Sequence, residues 1–100
     1  MEGSGGDKVR LDKWLWAARF FKTRALAARF VEEGRVRLIH NRLETRLDKP
    51  SRSVHLGDAI TFAVGGRLVA VVVRGLGERR GPPNEARALY EDSPASPPLP

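Results

Sequence analysis

The hydrophobic pattern of this chain changes period at Gly34, and that change constrains its fold more than any other feature. Before it, Leu11, Trp14, Leu15, Ala18 and Phe21 recur at helical spacing, which predicts a helix over Arg10–Phe21 with that stripe turned to a core. Thr23 is placed to cap a second helix with Leu26, Ala27, Phe30 and Val31 inward, and Gly34 supplies its left-handed stop. Behind Gly34, the run Arg35, Val36, Arg37, Leu38 alternates basic and apolar, as a strand with one buried face does. A second short strand is expected around Ser53–Leu56, and "AITFAV" and "RLVAVVV" flank Gly65-Gly66 as the arms of a hairpin. The expected class is α+β, an N-terminal helical hairpin packed on a small antiparallel sheet.

At 100 residues the chain has room for one domain. Pro82 and Pro83 break the strand pattern, "NEARALY" is expected to form one or two helical turns capped by Asn84, and "SPASPPLP" is too proline-rich to pack. The expected division is a flexible leader at 1–8, a domain at 9–74, a C-terminal extension at 75–92 that packs back on it, and a disordered tail at 93–100. Trp16 and Phe20 fall on the outer side of the first helix, one turn apart. They would either stack on unpaired bases or be covered by Leu89 and Tyr90 of the extension. Covering is preferred, because two bare aromatic side chains side by side promote aggregation.

The net charge of +6 is regional: residues 8–42 hold ten basic side chains against three acidic ones, and residues 43–100 hold eight against seven. An electrostatic footprint therefore belongs to the first half, with nucleic acid as the first partner class and an acidic membrane or protein as weaker readings. Cysteine is absent, which excludes disulfides and thiolate metal sites. The leader "MEGSGGDK" has no apolar run and is not a secretory signal, and the longest apolar run, Leu68–Val73, is far too short to span a bilayer. A cytoplasmic location follows as the expectation.

A helix starting after Thr23 would point its free backbone N–H groups at the approach flanked by Lys22 and Arg24, a seat for phosphate or simply a capped helix with two solvated bases. Arg10, Lys13, Arg35 and Arg37 would strengthen the first reading if the hairpin placed them on one surface. His40 and His55 show no metal-ligand spacing and are expected as solvated or hydrogen-bonded loop residues; no metal or cofactor is expected. "RGLGERRG" lacks the helix and distant acid of a dinucleotide fingerprint and is best explained as a turn. Asp12, Asp48 and Asp58 have no evident pocket in which to act as catalytic acids, and Asp58 after Gly57 is expected to be a turn residue.

With these residues in view, "VRLDKWLWAARFFKTRALAARFVEEGRVRL" and "KPSRSVHLGDAI" together resemble the RNA-binding domain named after ribosomal small-subunit protein four. The marks are the Arg-Leu-Asp opening, the Thr-Arg helix start, the Gly-x-Val entry and the Lys-Pro-Ser…Gly-Asp segment, over about Val9–Phe62. The paired tryptophans and "RRGPPNEARALYED" resemble its fifteen-kilodalton heat-shock branch, to about Asp92. The resemblance implies an alpha-L-like RNA-binding fold. It further implies a non-enzymatic protein that binds ribosomal RNA on the large ribosomal subunit, and a monomer is expected. Its role would be to assist recycling of stalled subunits that still hold a nascent chain on transfer RNA. Mapped by motif, the implied RNA contacts are Arg10, Lys13, Lys22, Thr23, Arg24, Arg35, Arg37, Asn41 and Arg42. The first hairpin, "VRLIHNRLETRLDKPS", is longer than the family's usual form and has Asn41-Arg42 where Asn-Gly is expected, and the branch's basic tail is replaced by a neutral one. Two other readings stand beside this one. The first is an accessory module of an RNA-modifying enzyme such as a pseudouridine synthase, for which the chain has no catalytic domain. The second is a protein-interaction domain whose charge only keeps it in solution.

Overall fold

The chain closes its first helix early. In the computed structural model, which describes residues 8–77 and 81–92, strand β1 (Lys8–Arg10) leads into helix α1 (Leu11–Ala17). The expected leader before Lys8, the tail at 93–100, and Arg79 and Arg80 lie outside the described residues. The apolar stripe predicts a helix to Phe21, but Arg19 takes a left-handed φ of 66°. The N–H of Phe20 then donates to the Leu15 carbonyl and that of Arg19 to the Trp16 carbonyl, each at 3.0 Å, which is a Schellman closure. Its usual apolar contact is present, with the Phe20 ring 6.0 Å from that of Trp14. Arginine replaces the glycine that this position favours, and its Nε donates to the Gly81 carbonyl at 2.9 Å, a bond that offsets part of the strain.

This closure corrects the expected pairing of Trp16 with Phe20. Phe20 turns back toward the core, its ring 5.3 Å from Phe62 and 4.8 Å from Tyr90, whereas Trp16 stays half-buried on the helix.

Helix α2 (Arg24–Glu32) begins where expected, with the Thr23 hydroxyl accepting the Leu26 N–H at 3.0 Å. Ala27, Phe30 and Val31 are buried, but Leu26 is 47% exposed, contrary to its expected inward position. Gly34 ends the helix at φ 74°.

Strand β2 (Val36–His40) buries Val36 and Leu38 and exposes Arg37, as its alternation requires. It pairs on one side with β3 (Leu43–Leu47) and on the other with β5 (Ala59–Val64), which turns through Gly65-Gly66 into β6 (Arg67–Val73). Strand β4 (Ser53–His55) lies where a strand is expected but pairs with β1 in a separate two-stranded sheet. The short helix α3 (Pro83–Arg87) is led in by Pro82, not capped by Asn84, because the fixed φ of proline suits a helix start. Beyond it the chain extends again. Strand β7 (Tyr90–Asp92), which begins at the last residue of the segment expected to be helical, pairs with β6 and completes the order β3-β2-β5-β6-β7. Arg74 reaches Glu91 at 2.7 Å, and this hydrogen bond and its charge hold the Glu91 carboxyl below its usual range.

The core lies between the helical hairpin and the sheets, with Trp14, Leu15 and Val31 facing Val36, Ile60 and Phe62. Gly77, at φ 68°, lets the returning chain lie against it: a Cβ there would meet the Ala17 methyl at 2.8 Å and Leu89 at 2.9 Å.

The β2–β3 turn carries Asn41 and Arg42 at φ 51° and 68°, the pair of positive angles of a type I′ hairpin turn. Asparagine tolerates that region and arginine does not, so Arg42→Gly is expected to raise stability by about 0.5–1 kcal/mol after the entropy cost of glycine. The measurement is a urea midpoint that rises with an unchanged slope, and an equal or lower midpoint contradicts the strain.

Candidate nucleic-acid interface

Two arginines share one buried carboxylate at the start of the helical hairpin. Asp12, 4% exposed, accepts the Lys13 backbone N–H at 2.7 Å. Its side chain takes a two-pronged contact from Arg10, Nε to Oδ1 at 3.1 Å and Nη2 to Oδ2 at 3.0 Å. Arg24 Nη2, from the first turn of α2, stands 3.5 Å from Oδ1 of the same group. Both guanidinium groups remain about half exposed, so their outer N–H donors face solvent. Asp12 thus sets the spacing of two cations beside the capped start of α2, where the helix dipole also favours an anion. Lys22 and Arg24 flank Thr23 as exposed residues, and Lys13 is half-buried on α1.

The loop between β3 and β4 is tied to the same place. Helix α1 has no side-chain cap; its Leu11 N–H donates to the Arg52 carbonyl at 2.9 Å and its Asp12 N–H to the Pro50 carbonyl at 3.2 Å. This holds the "KPSR" segment against the residues that carry Arg10. Arg46, Asp48, Lys49, Ser51 and Arg52 line one shallow depression there. The Arg46 guanidinium reaches over the next turn, where a Cβ on Gly34 would lie 3.3 Å from its Nε and Nη2. Gly34 therefore serves both the left-handed stop and the approach of that side chain.

The remaining expected residues stand farther along the molecule. Arg35 lies over the Phe30 ring at 4.6 Å and 3.3 Å from Glu33, and Arg37 pairs with Glu44 at 3.1 Å on the outward side of β2, with Arg46 its cross-strand neighbour. Asn41 and Arg42 are exposed at the far end of β2, about 13 Å of strand beyond Val36 at ~3.3 Å per residue. The structure thus gathers Arg10 and Arg24 and leaves Arg37, Asn41 and Arg42 outside that cluster. Asp12, Arg46, Lys49 and Arg52 stand in or beside this cluster and were not among the expected contacts. The signal for Asp12 was an acid in the first turn of a helix, flanked by Arg10 and Lys13; the signal for Lys49 and Arg52 was two bases around Pro50-Ser51.

Asp58 stands in the expected turn, its N–H donating to the His55 carbonyl at 3.1 Å. It is 3% exposed and joins His40 and His55, expected as solvated or hydrogen-bonded loop residues and found at strand ends, into one cluster.

Fold and interface together define an S4-type domain: a family model described as the S4 domain matches residues 9–38. Heat shock protein 15 of Escherichia coli is 45% identical over 86 residues, which cover 86% of this chain and 61% of that protein. The chain therefore spans about three-fifths of that relative's length. The RQC P-site tRNA stabilizing factor of Bacillus subtilis is 37% identical over 68 residues, 68% of this chain and 73% of that one. A solved structure described as trimeric Vibrio cholerae heat shock protein 15 superposes with a TM-score of 0.75 at 41% identity, covering 88% of this chain and 84% of the other. The chain belongs to the heat shock protein 15 family of S4-domain proteins. Among the described residues, no helix is long and apolar enough to cross a membrane.

Proposed function

We propose that this domain binds structured ribosomal RNA through the phosphate backbone, using Arg10, Lys13, Lys22, Thr23, Arg24, Arg35, Arg37, Asn41 and Arg42, joined by Arg46, Lys49 and Arg52. The observation that carries this reading is the pair of guanidinium groups fixed on Asp12 beside the capped start of α2. Two forked donors at set spacing suit phosphate oxygens and carry no base code, so the domain reads RNA shape in preference to sequence. The finer proposal is association with the large ribosomal subunit and help in recycling subunits that hold a nascent chain on transfer RNA. It draws support from the name of the Bacillus subtilis relative, a P-site tRNA stabilizing factor. No catalytic step is proposed, and the place of action is the cytoplasm. We keep 9–74 as the RNA-binding unit and 75–92 as the extension that packs on it. Because the Vibrio cholerae relative is described as trimeric, self-association replaces the expected monomer.

The test is ultraviolet crosslinking in cell extract followed by sequencing of the attached RNA, paired with affinity measured against salt. Enrichment of large-subunit ribosomal RNA is expected, with a slope of log affinity on log salt of about −4 to −6 for five to seven phosphate contacts at ~0.9 each, a value for duplex DNA. A slope near zero, or no ribosomal enrichment, refutes the reading.

A further inference from the structure

His55 and Asp58, three residues apart, meet the more distant His40 at one end of the sheets. His40 closes β2, His55 closes β4 and Asp58 stands just before β5. One candidate ligand atom from each lies within 4.8 Å of the other two. Asp58 is held from several sides. Its Oδ2 accepts the His55 backbone N–H at 2.9 Å, its own N–H donates to the His55 carbonyl at 3.1 Å, and its carbonyl accepts the Val73 N–H at 2.8 Å. Its Oδ1 faces His40 Nδ1 at 2.5 Å and its Oδ2 faces His55 Nδ1 at 3.7 Å. Among the described residues its only ionic partners are these two imidazoles, so no lysine or arginine balances a carboxylate that is 3% exposed.

We propose that His40, His55 and Asp58 bind one zinc-class divalent ion. Zinc bonds of about 2.0–2.2 Å to nitrogen and oxygen place neighbouring tetrahedral ligands about 3.3 Å apart. The separations observed, 2.5 Å from His40 Nδ1 to Oδ1 and 3.7 Å from His55 Nδ1 to Oδ2, lie on either side of that value, each to a different oxygen of the one carboxylate. Closing the difference takes small movements of the two rings, whose side chains are 44% and 39% exposed, while the carboxylate stays fixed by the His55 N–H. The exposed side of the rings leaves room for water at the remaining position. Two nitrogens and one oxygen suit zinc, cobalt, nickel or copper, and not magnesium or calcium, which take oxygen ligands. The ion would join the end of β4 to the ends of β2 and β5. It would thereby clamp the two-stranded sheet that carries Arg10 onto the five-stranded one.

The experiment is calorimetric titration of the untagged, chelator-treated full chain with zinc chloride at about pH 7.5, above the ordinary range of free imidazole. Cobalt(II) absorption reports the coordination geometry, and magnesium chloride serves as the control. One zinc per chain is expected, with a raised melting temperature. His40→Gln and His55→Gln, each checked for an intact fold by circular dichroism, should each weaken binding at least about tenfold. Absence of zinc binding, or zinc binding that neither substitution weakens, overturns the proposal and leaves a His–Asp ion pair only.

Discussion

Replacing Arg10 and Arg24 together by glutamine is expected to lower affinity for a folded ribosomal RNA fragment about a hundredfold, a loss of ~2.7 kcal/mol. It should also flatten the salt slope by about 1.8, two contacts at ~0.9 each. The two guanidinium groups are held on Asp12 at 3.0 and 3.5 Å, so their outward donors are placed before RNA arrives. A second variant separates placement from charge. Asp12→Asn keeps an acceptor for the Lys13 N–H and raises the net charge by one, so attraction alone would tighten binding. Placement predicts the opposite, weaker binding in spite of the added charge, because the paired arginines lose the anion that orients them. Tighter binding by a folded Asp12→Asn protein would remove the clamp and leave only a diffuse basic surface. Both variants need a denaturation control, since unpairing a buried carboxylate is itself destabilising.

The largest effect on stability is expected at Trp14. It is fully buried, its ring lies 6.0 Å from Phe20 and 6.4 Å from Tyr90, and its Nε1 donates to the Gly75 carbonyl at 2.8 Å. Trp14→Ala should cost about 3–5 kcal/mol. Against a total of about 5–15 kcal/mol for a domain of this size, that removes from about a fifth to the whole of the stability. Trp14→Phe retains most of the packing but leaves the Gly75 carbonyl without its partner, for about 1–3 kcal/mol. Urea denaturation followed by circular dichroism checks both. A loss under about 1 kcal/mol for the alanine variant would mean that the returning chain around Gly75 contributes little to holding the first helix.

Much of the fold was legible because its signals are short-ranged. The Thr23 hydroxyl reaches a backbone N–H three residues on, Gly34 supplies the φ its helix needs, and Gly65-Gly66 joins two strands whose alternation is continuous with it. The left-handed end of α1 was hidden for the complementary reason. Arg19 offers no local hint, and its conformation is supported by Gly81 and by the closure of Phe20 onto Trp14 and Tyr90. Likewise β7 has no strand signal of its own; it extends because β6 offers an unpaired edge.

At the candidate interface the division runs along the same line. The basic character of residues 8–42 and the capped helix start are properties of composition and of neighbours three residues apart, and these the sequence determines by itself. Which cations stand together is decided by tertiary structure. Arg10 and Arg24 meet on Asp12 because the hairpin folds α2 beside α1, and the Lys49–Arg52 loop joins them because its carbonyls satisfy the free N–H groups of α1. His55 and Asp58 meet through a local turn, but His40 reaches them only through the register of β2 on β5, which no spacing in the chain announces. Local backbone chemistry acts over a few residues and is written in order along the chain, whereas a shared carboxylate or a borrowed carbonyl exists only after distant segments have packed.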